Sequence, residues 1–280
     1  MRKLTNKLFI SILTVAFAVI ALGTTTFAWF TLSNTATVSP FQASVTAGEG
    51  IEISLDGTNW YTTLSEALME TTLNTSTFKF DLVTTPDGTT FTTLGGGDAT
   101  GKYLSFTLYF RSFADASPSI YWNGVTLTST GKSWQPDVSF NDSEAGVTTA
   151  LTTASSPVMR YAANSGRILV AGDSTSIYEL PSDFNSQDNT VLGEKLVTEI
   201  TGTEDGANAY YVAKKGTAPA GAAAAVIPAT VTDSTLLNDA AILVLDTGSA
   251  NAWSGTLTVS IWLEGWDPNA FNSILSDTLT

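Results

Sequence analysis

The chain has 280 residues, no histidine, no cysteine and a formal charge of −14. Without histidine there is no Ser-His-Asp triad, HExxH zinc site or imidazole base, and without cysteine there is no disulfide or thiolate-bound metal. The acidic excess argues against nucleic acid and anionic lipid surfaces as partners, because both repel negative charge.

The N-terminus has the pattern of a secretion signal. Three basic residues open the chain: Arg2, Lys3 and Lys7. An apolar run over 8–22 follows, and Thr26 and Ala28 are the small residues that a signal peptidase reads. We predict a signal peptide over residues 1–28, cleavage between Ala28 and Trp29, and a secreted protein of the extracellular matrix or cell surface. Cleavage would remove those three basic groups and no acidic one, leaving a formal charge of −17.

Residues 29–48 read as a free apolar strand. The alternating positions before Pro40 are Phe30, Leu32, Ala36 and Val38, and those after it include Phe41 and Val45. An unpaired strand at a terminus offers open hydrogen-bonding groups together with apolar side chains. It must fold into its own domain, enter a membrane or pair with a neighbouring molecule. We predict a donor strand over 29–45 that completes a sheet in the next subunit; the competing interpretation is a first strand of its own domain.

The ordered pattern of the first 55 residues resembles the TasA/camelysin group. It runs from the basic start through Thr-Phe-Ala, Trp29-Phe30 and an Ala-Thr segment to a glycine-containing turn and an alternating strand. The resemblance implies a secreted protein processed by a SipW-type signal peptidase that assembles into biofilm-matrix fibres or pili. The chain departs from the group at 31–33, where Thr-Leu-Ser replaces the usual Asp. Trp262-Leu263-Glu264-Gly265 adds a looser likeness near the C-terminus.

Further along, alternation predicts many short strands, and Asp56-Gly57 and Pro86-Asp87-Gly88 predict turns between them. The predicted strands are 103–111 with 120–128 as its antiparallel partner, a hairpin of 158–161 with 167–171, and strands over 210–213, 240–245 and 256–264. The predicted helices are 62–73, 189–200 and one beginning at Asp267-Pro268. The predicted core face of the first strand is Leu104, Phe106, Leu108 and Phe110, and that of the last strand is Leu257, Val259, Ile261 and Leu263.

This pattern predicts a mainly β fold, an antiparallel β-sandwich or jelly roll with short helical insertions. No linker divides the chain, so residues 49–280 are predicted to form one elaborated domain. Residues 240–245 are continuously apolar, which predicts a strand covered on both faces.

Acidic loops and tryptophans raise two possible sites. The loops over 137–144, 183–188 and 204–206 carry oxygen ligands of the kind calcium prefers, but none has the EF-hand pattern and solvated loops are the favoured interpretation. We therefore predict no cofactor and leave calcium open. The tryptophans Trp60, Trp122, Trp134, Trp253, Trp262 and Trp266 suit a sugar platform, although packing is the commoner role. Trp262 is expected to pack under a helix or to meet a partner.

The leading interpretation is a non-catalytic, secreted fibre subunit that binds copies of itself head to tail. One rival is a cell-surface binding module for carbohydrate or protein. Another keeps the N-terminal segment uncleaved as a membrane anchor. A hydrolase with paired carboxylates remains open on paper, but the sequence singles out no pair.

Overall fold

A computed structural model describes residues 36–38, 45–46, 50–73, 78–121, 127–141, 151–179, 206–221, 241–248 and 252–279. These residues belong to one compact unit spanning Thr35–Thr280. The predicted cleavage site lies outside the described residues, as does the predicted helix over 189–200.

Short strands dominate the described chain. The strands are β1 (Ala36–Val38), β2 (Val45–Thr46), β3 (Ile51–Ser54), β4 (Thr63–Leu64), β5 (Lys79–Phe80), β6 (Leu82–Thr84), β7 (Thr92–Thr93), β8 (Leu104–Ser112), β9 (Ser119–Ile120), β10 (Lys132–Trp134), β11 (Phe140–Asn141), β12 (Leu151–Thr152), β13 (Val158–Arg160), β14 (Gly166–Ala171), β15 (Thr175–Tyr178), β16 (Leu243–Val244), β17 (Asp246–Thr247), β18 (Trp253–Glu264) and β19 (Thr278–Leu279). The helical elements are α1 (Glu66–Leu73), α2 (Gly206–Lys215) and 3₁₀ segments over Ala162–Ser165 and Asn272–Ser276.

The long strand β18 is the centre of the main sheet. On one side it pairs antiparallel with β8 through nine register positions, and β8 pairs in turn with β3. On the other side it pairs antiparallel with β14, which continues to β15. Its last two residues also pair with β6 in parallel. This long strand therefore joins segments that lie far apart in the described chain.

The two faces of the sheet are buried to different extents. One face carries the main core, where Leu104, Phe106, Leu108 and Phe110 of β8 meet Leu257, Val259, Ile261 and Leu263 of β18. These eight side chains are at most 9% exposed, so the predicted core face of β8 is confirmed. The opposite face, called here the second face, is open beside Ser254 and Thr256 but closed over Trp262.

The second face is covered by the segment 82–93, which consists of β6, a turn and β7. We call this segment the cover hairpin. Val83 of the hairpin packs in a small cluster with Leu169, Ile177 and Trp262, and Phe91 lies edge-on to the Trp262 ring at 5.2 Å between centroids. Trp262 thus packs under a β-hairpin, and the expectation that it packs under a helix or meets a partner is wrong.

Two turns of the same design lie in Ser54–Asn59 and Thr85–Thr90. In each, the hydroxyl oxygen of the first residue accepts the backbone N–H of the glycine three residues later. Ser54 binds Gly57 and Thr85 binds Gly88, both at 2.9 Å. The intervening aspartate accepts the next two backbone N–H groups at 2.7–2.8 Å. These bonds hold the pKa of Asp56 and Asp87 well below the usual range. The Asp-Gly dipeptides therefore mark turns, as the sequence predicts.

Several predicted pairings are wrong. β8 pairs with β18 and β3, whereas β9 at 119–120 pairs with β16. The predicted hairpin around 164–166 is also absent from the described residues, because β13 pairs with β10 while β14 pairs with β15 and β18. A 3₁₀ segment separates β13 from β14. In each case alternation identified a strand but not its partner.

The helical predictions are partly right. The helix over 62–73 is confirmed from Glu66, after a two-residue strand at 63–64. Residues 210–213, predicted as a strand, lie inside α2. The helix predicted from Asp267 is wrong: turns follow β18, and the 3₁₀ segment begins at Asn272. In the predicted strand over 240–245, Leu243 and Leu245 are buried but Val244 is 43% exposed, so one face is open.

The mainly β class with helical insertions around an antiparallel sheet is confirmed. The finer choice of a sandwich or jelly roll stays a prediction. Among the described helices, none has the length and hydrophobicity needed to cross a membrane.

Candidate functional site

The predicted donor segment contributes β1, which lies between two strands of the same chain. On one side Ala36 and Thr37 pair antiparallel with Phe80 and Lys79 of β5. On the other side β1 pairs in parallel with β19, with Thr37 opposite Thr278 and Val38 opposite Leu279. β1 is therefore the middle strand of a three-stranded sheet.

The second described piece of this segment is β2, where Val45 pairs antiparallel with Leu64 of β4. Of the six predicted donor residues, the structure describes the backbone of Ala36, Val38 and Val45. The other three donor residues, Phe30, Leu32 and Phe41, lie outside the described residues. The two residues of the predicted cleavage site, Ala28 and Trp29, lie outside them as well. The described parts of the segment pair within their own chain, as the competing interpretation expects. The site between β5 and β19 that β1 fills is called the slot here.

The slot around β1 is built on the main core. Phe80 and Leu279, on the two flanking strands, are 1% and 2% exposed, and Leu64 beside β2 is 0% exposed. Phe78 supports Phe80 through an edge-on ring contact at 5.0 Å. Because the flanking strands belong to the core, a strand that leaves the slot must be replaced by another to keep their main-chain groups paired.

Asp277 fixes the strand that follows it. Its buried carboxylate accepts the Thr130 hydroxyl at 2.8 Å and the backbone N–H of Ala162 at 3.0 Å. It also accepts the backbone N–H of Thr278 at 2.8 Å. These bonds join the start of β19 to two distant segments, so one wall of the slot is rigidly held.

The tryptophans do not form a common platform in the described chain. Trp262 and Trp266 are buried, and the Trp253 indole donates to the Ala114 carbonyl at 2.9 Å. The Arg111 guanidinium lies over the Trp60 ring, 4.3 Å from its centroid. Trp122 lies outside the described residues. The tryptophans that the structure describes do not assemble the sugar platform that the sequence left open as the less favoured role.

Trp134 belongs to a separate aromatic cluster beside α2. Its partners are Phe140, Tyr210 and Phe271, with ring centroids 4.9–6.0 Å from that of Trp134. The Arg160 guanidinium lies 4.1 Å from the Phe271 ring centroid. Tyr210 packs against these rings from one side of α2. Burial of one side of the segment favours a helix over 206–215.

In the acidic loop at 137–144, the first carboxylate makes a hydrogen bond and an ion pair with α2. Asp137 accepts the Tyr210 hydroxyl at 2.6 Å and pairs with the Lys214 ammonium at 2.8 Å. These contacts lower the pKa of Asp137, chiefly through Lys214. Among the described residues there is no group of three or more acidic side chains suited to a metal ion. The loops at 183–188 and 204–205 lie outside them, so calcium stays an open prediction.

Beneath the cover hairpin lies a buried charge cluster that the sequence did not predict. The Arg167 guanidinium pairs with Glu179 at 2.7 Å and with Asp267 at 2.5 Å. All three side chains are 0% exposed. Glu264 is the next carboxyl, and it accepts the Trp262 indole N–H and the Trp266 backbone N–H, both at 3.1 Å. An arginine within the apolar run 166–171 was a visible signal, because a buried charge needs partners.

Burial changes the acidity of this cluster. It raises the pKa of Glu264 to about 7, against the opposing effect of the hydrogen bonds it accepts and the charge of Arg167. It also raises the pKa of Asp267, although Arg167 opposes the change. The cluster is closed to solvent and therefore suits a structural or conformational role rather than ligand binding.

The chain was compared with protein-family models, with curated proteins and with solved structures, and no match was found in any of the three.

Proposed function

We propose that this protein is a secreted structural subunit of an extracellular fibre, and that β1 is the strand that one subunit donates to the next. The observation that carries the proposal is the position of β1. It is a middle strand, yet it is held on each side by only two register pairs and comes from the N-terminal end of its unit. A middle strand near a terminus is the element that can be exchanged without unravelling the rest.

Strand exchange is favourable because it substitutes like for like. The donated strand makes the same main-chain hydrogen bonds with β5 and β19 whether it comes from its own chain or from a neighbour. The contact is head to tail, so each subunit both gives and receives a strand. Such contacts propagate as a filament unless the rotation closes a ring.

The resemblance to the TasA/camelysin group supports the same proposal, since it implies export and assembly into matrix fibres. The role is structural, and the proposal assigns no catalytic residue and no cofactor. Self-association is the partner interaction, with the signal peptidase acting only during export.

A cysteine pair tests which chain supplies β1. The natural chain has no cysteine, so Thr37→Cys with Lys79→Cys introduces the only thiols. These positions are antiparallel register partners, which brings their Cα atoms within disulfide range. In monomers the disulfide joins residues of one chain. In fibres donor exchange predicts covalent ladders that survive boiling in detergent and collapse on reduction.

The matched control is Ala171→Cys with Thr258→Cys, a register pair inside the main sheet. This pair stays within one chain in monomers and in fibres. Fibres of the first variant that contain only intrachain disulfides would reject donor exchange and keep β1 in its own subunit. Absence of fibres from the exported wild-type chain under all conditions would reject the fibre role itself.

A truncation gives a second test. A chain starting at Gly50 lacks β1, so β5 and β19 lose their partner strand. It is expected to stay largely folded, because the main sheet is kept, but to be unable to polymerise, and added 29–45 peptide is expected to fill the empty slot. In the longer chain, Thr37→Pro removes a main-chain donor from β1 and should therefore impair polymerisation. Thr37→Val keeps that donor and should leave polymerisation intact. Electron microscopy of normal filaments from the truncated chain would contradict the proposal.

A further inference from the structure

The charge cluster under the cover hairpin carries more acid than base. The described residues bring one guanidinium, Arg167, together with the carboxyls of Glu179, Asp267 and Glu264. Among these four groups, full ionisation would set three negative charges against one positive charge, all out of contact with water. Unpaired charge in such a place is neutralised by a proton whenever one of the groups can bind it.

The geometry identifies Glu264 as that group. Glu179 and Asp267 are in direct contact with Arg167, at 2.7 and 2.5 Å. Glu264 is bound instead by two N–H donors, from the indole of Trp262 and the backbone of Trp266. Neither donor carries a formal charge, nor does the Thr84 hydroxyl beside it, and Arg167 acts on Glu264 only at longer range. Of the three carboxyls, Glu264 is therefore the one that is not ion-paired with Arg167 in the described part of the chain.

Within the part of the chain that the structure describes, the elements around Glu264 contribute these titratable groups. β14 contributes Arg167, the residue after β15 contributes Glu179, and the turn after β18 contributes Asp267. From the cover hairpin the neighbouring group is the hydroxyl of Thr84. Tyr103 lies further out, stacked on Phe91 at 3.9 Å between ring centroids.

The Thr84 hydroxyl can bond to either form of Glu264. As a donor it favours the ionised carboxylate and lowers the pKa, although its contact does not have the geometry of a normal hydrogen bond. A protonated carboxyl carries an O–H that needs an acceptor, and the two N–H donors on Glu264 cannot serve. The Thr84 hydroxyl, on the cover hairpin itself, is the acceptor available beside it.

The cover hairpin is weakly attached through its backbone. β6 pairs with β18 at two register positions, against nine for β8, and Gly265 N–H donates to the Val83 carbonyl at 2.8 Å. The tip approaches the sheet at Gly88, where an added Cβ would lie 2.5 Å from Leu169 Cδ1. A segment with few ladder bonds over a packed surface is the kind that opens locally before the whole protein unfolds.

We propose that the cover hairpin is a proton-dependent latch, closed while Glu264 is protonated and loosened when Glu264 releases its proton to solvent. Opening exposes the second face around Trp262, Leu169 and Ile177. The latch is a property of this domain and does not depend on fibre assembly.

The direction of the effect follows from linkage. In the open state Glu264 meets water and its pKa returns toward the ordinary 4.5, whereas burial in the closed state raises the pKa to about 7. Opening therefore releases one proton between these values. The opening constant should rise roughly tenfold per pH unit from about pH 5 to about pH 7 and level off above.

Hydrogen exchange of the full exported chain tests this. Exchange is measured at several pH values and corrected for the intrinsic dependence of amide exchange. The ladder amides of β6 and β7 should lose protection by roughly 100-fold between about pH 5 and pH 7, while those of β8 and β18 change much less. Glu264→Gln should reduce the change in the hairpin at least tenfold. Glu52→Gln, which removes a partly exposed carboxyl of the same sheet, should leave it intact.

Infrared spectroscopy of the wild type keeps the test independent of whether Glu264→Gln folds. A protonated buried carboxyl should give a band at about pH 6 that disappears above neutral pH. A wild-type protein without that band would overturn the proposal. Hairpin protection that does not change across this range, or a full wild-type change retained in Glu264→Gln, would overturn it as well.

Discussion

Side chains at successive positions of β8 meet different surroundings, so single substitutions separate the two faces. Phe106 packs in the main core and is 9% exposed, whereas Thr107 faces the opposite side opposite Thr258. Phe106→Ala should lower the free energy of unfolding by about 3–5 kcal/mol, because it removes a buried ring and leaves a cavity. Thr107→Ala should change it by less than about 1 kcal/mol. Urea denaturation measures both, and equal midpoints for Phe106→Ala and the wild type would contradict the assignment.

Arg167 and Lys102 allow a comparison of buried and exposed ion pairs. Arg167 is fully buried with two carboxylates, whereas Lys102 pairs with Asp81 at 3.2 Å with both side chains more than a third exposed. Arg167→Met should destabilise the fold by about 3–5 kcal/mol, since it leaves buried carboxylates without their cation. Lys102→Met should cost less than about 1 kcal/mol. Thermal unfolding of the two variants checks the difference, and similar losses would show that Arg167 is not buried as described.

Sequence reasoning at this scale found the residues whose signals are local. Asp56-Gly57 predicted its turn because the aspartate bonds to the next few backbone groups. Arg167 was not predicted to be buried, although it is a charge within an apolar run, and nothing in that run points to its partners. Asp267 lies 100 positions away along the chain, and nothing local encodes which distant carboxyl meets a buried arginine.

Glycine substitutions test how the cover hairpin is seated. Gly88 and Gly96 both have positive φ, at +74° and +77°, so alanine strains the backbone equally at each. At Gly88 the new Cβ also meets Leu169, whereas at Gly96 there is no atom within 4 Å among the described residues. Gly96→Ala should cost about 1 kcal/mol, and Gly88→Ala about 1–3 kcal/mol more through overpacking. Equal unfolding midpoints for the two variants would mean that the hairpin tip does not contact the second face.

At the scale of elements, alternation predicted faces and left partners open. The core sides of β8 and β18 were both evident, yet 103–111 was paired with 120–128 instead of 253–261. The two-residue period states which side chains share a face, and either partner would bury the same residues.

α2 was missed for a different reason. Tyr210-Tyr211-Val212 favours a strand locally, and packing of Tyr210 into the aromatic cluster overrides that preference.

For the whole molecule, carboxyl groups act on stability in opposite directions. Hydrogen bonds or neighbouring cations lower the pKa of Asp56, Asp87, Asp98 and Asp137. A lowered pKa contributes stability above the ordinary value of 3.8, and that contribution is lost as pH falls further. These groups weaken the fold only in strong acid. They lie at or near the surface, so solvent screening keeps each effect modest.

Glu264 acts in the other direction, and the balance predicts greatest stability in mild acid. The folded protein holds the Glu264 proton up to a pKa of about 7, whereas the unfolded chain releases it near 4.5. Its contribution is complete below about pH 4.5 and is lost as pH rises to about 7; the difference is on the order of 3 kcal/mol. The urea midpoint should therefore be highest near pH 5 and lower at pH 8. Glu264→Gln should remove most of that fall, because an amide does not titrate. A wild-type midpoint that stays level or rises from pH 5 to pH 8 would contradict a buried, protonated Glu264.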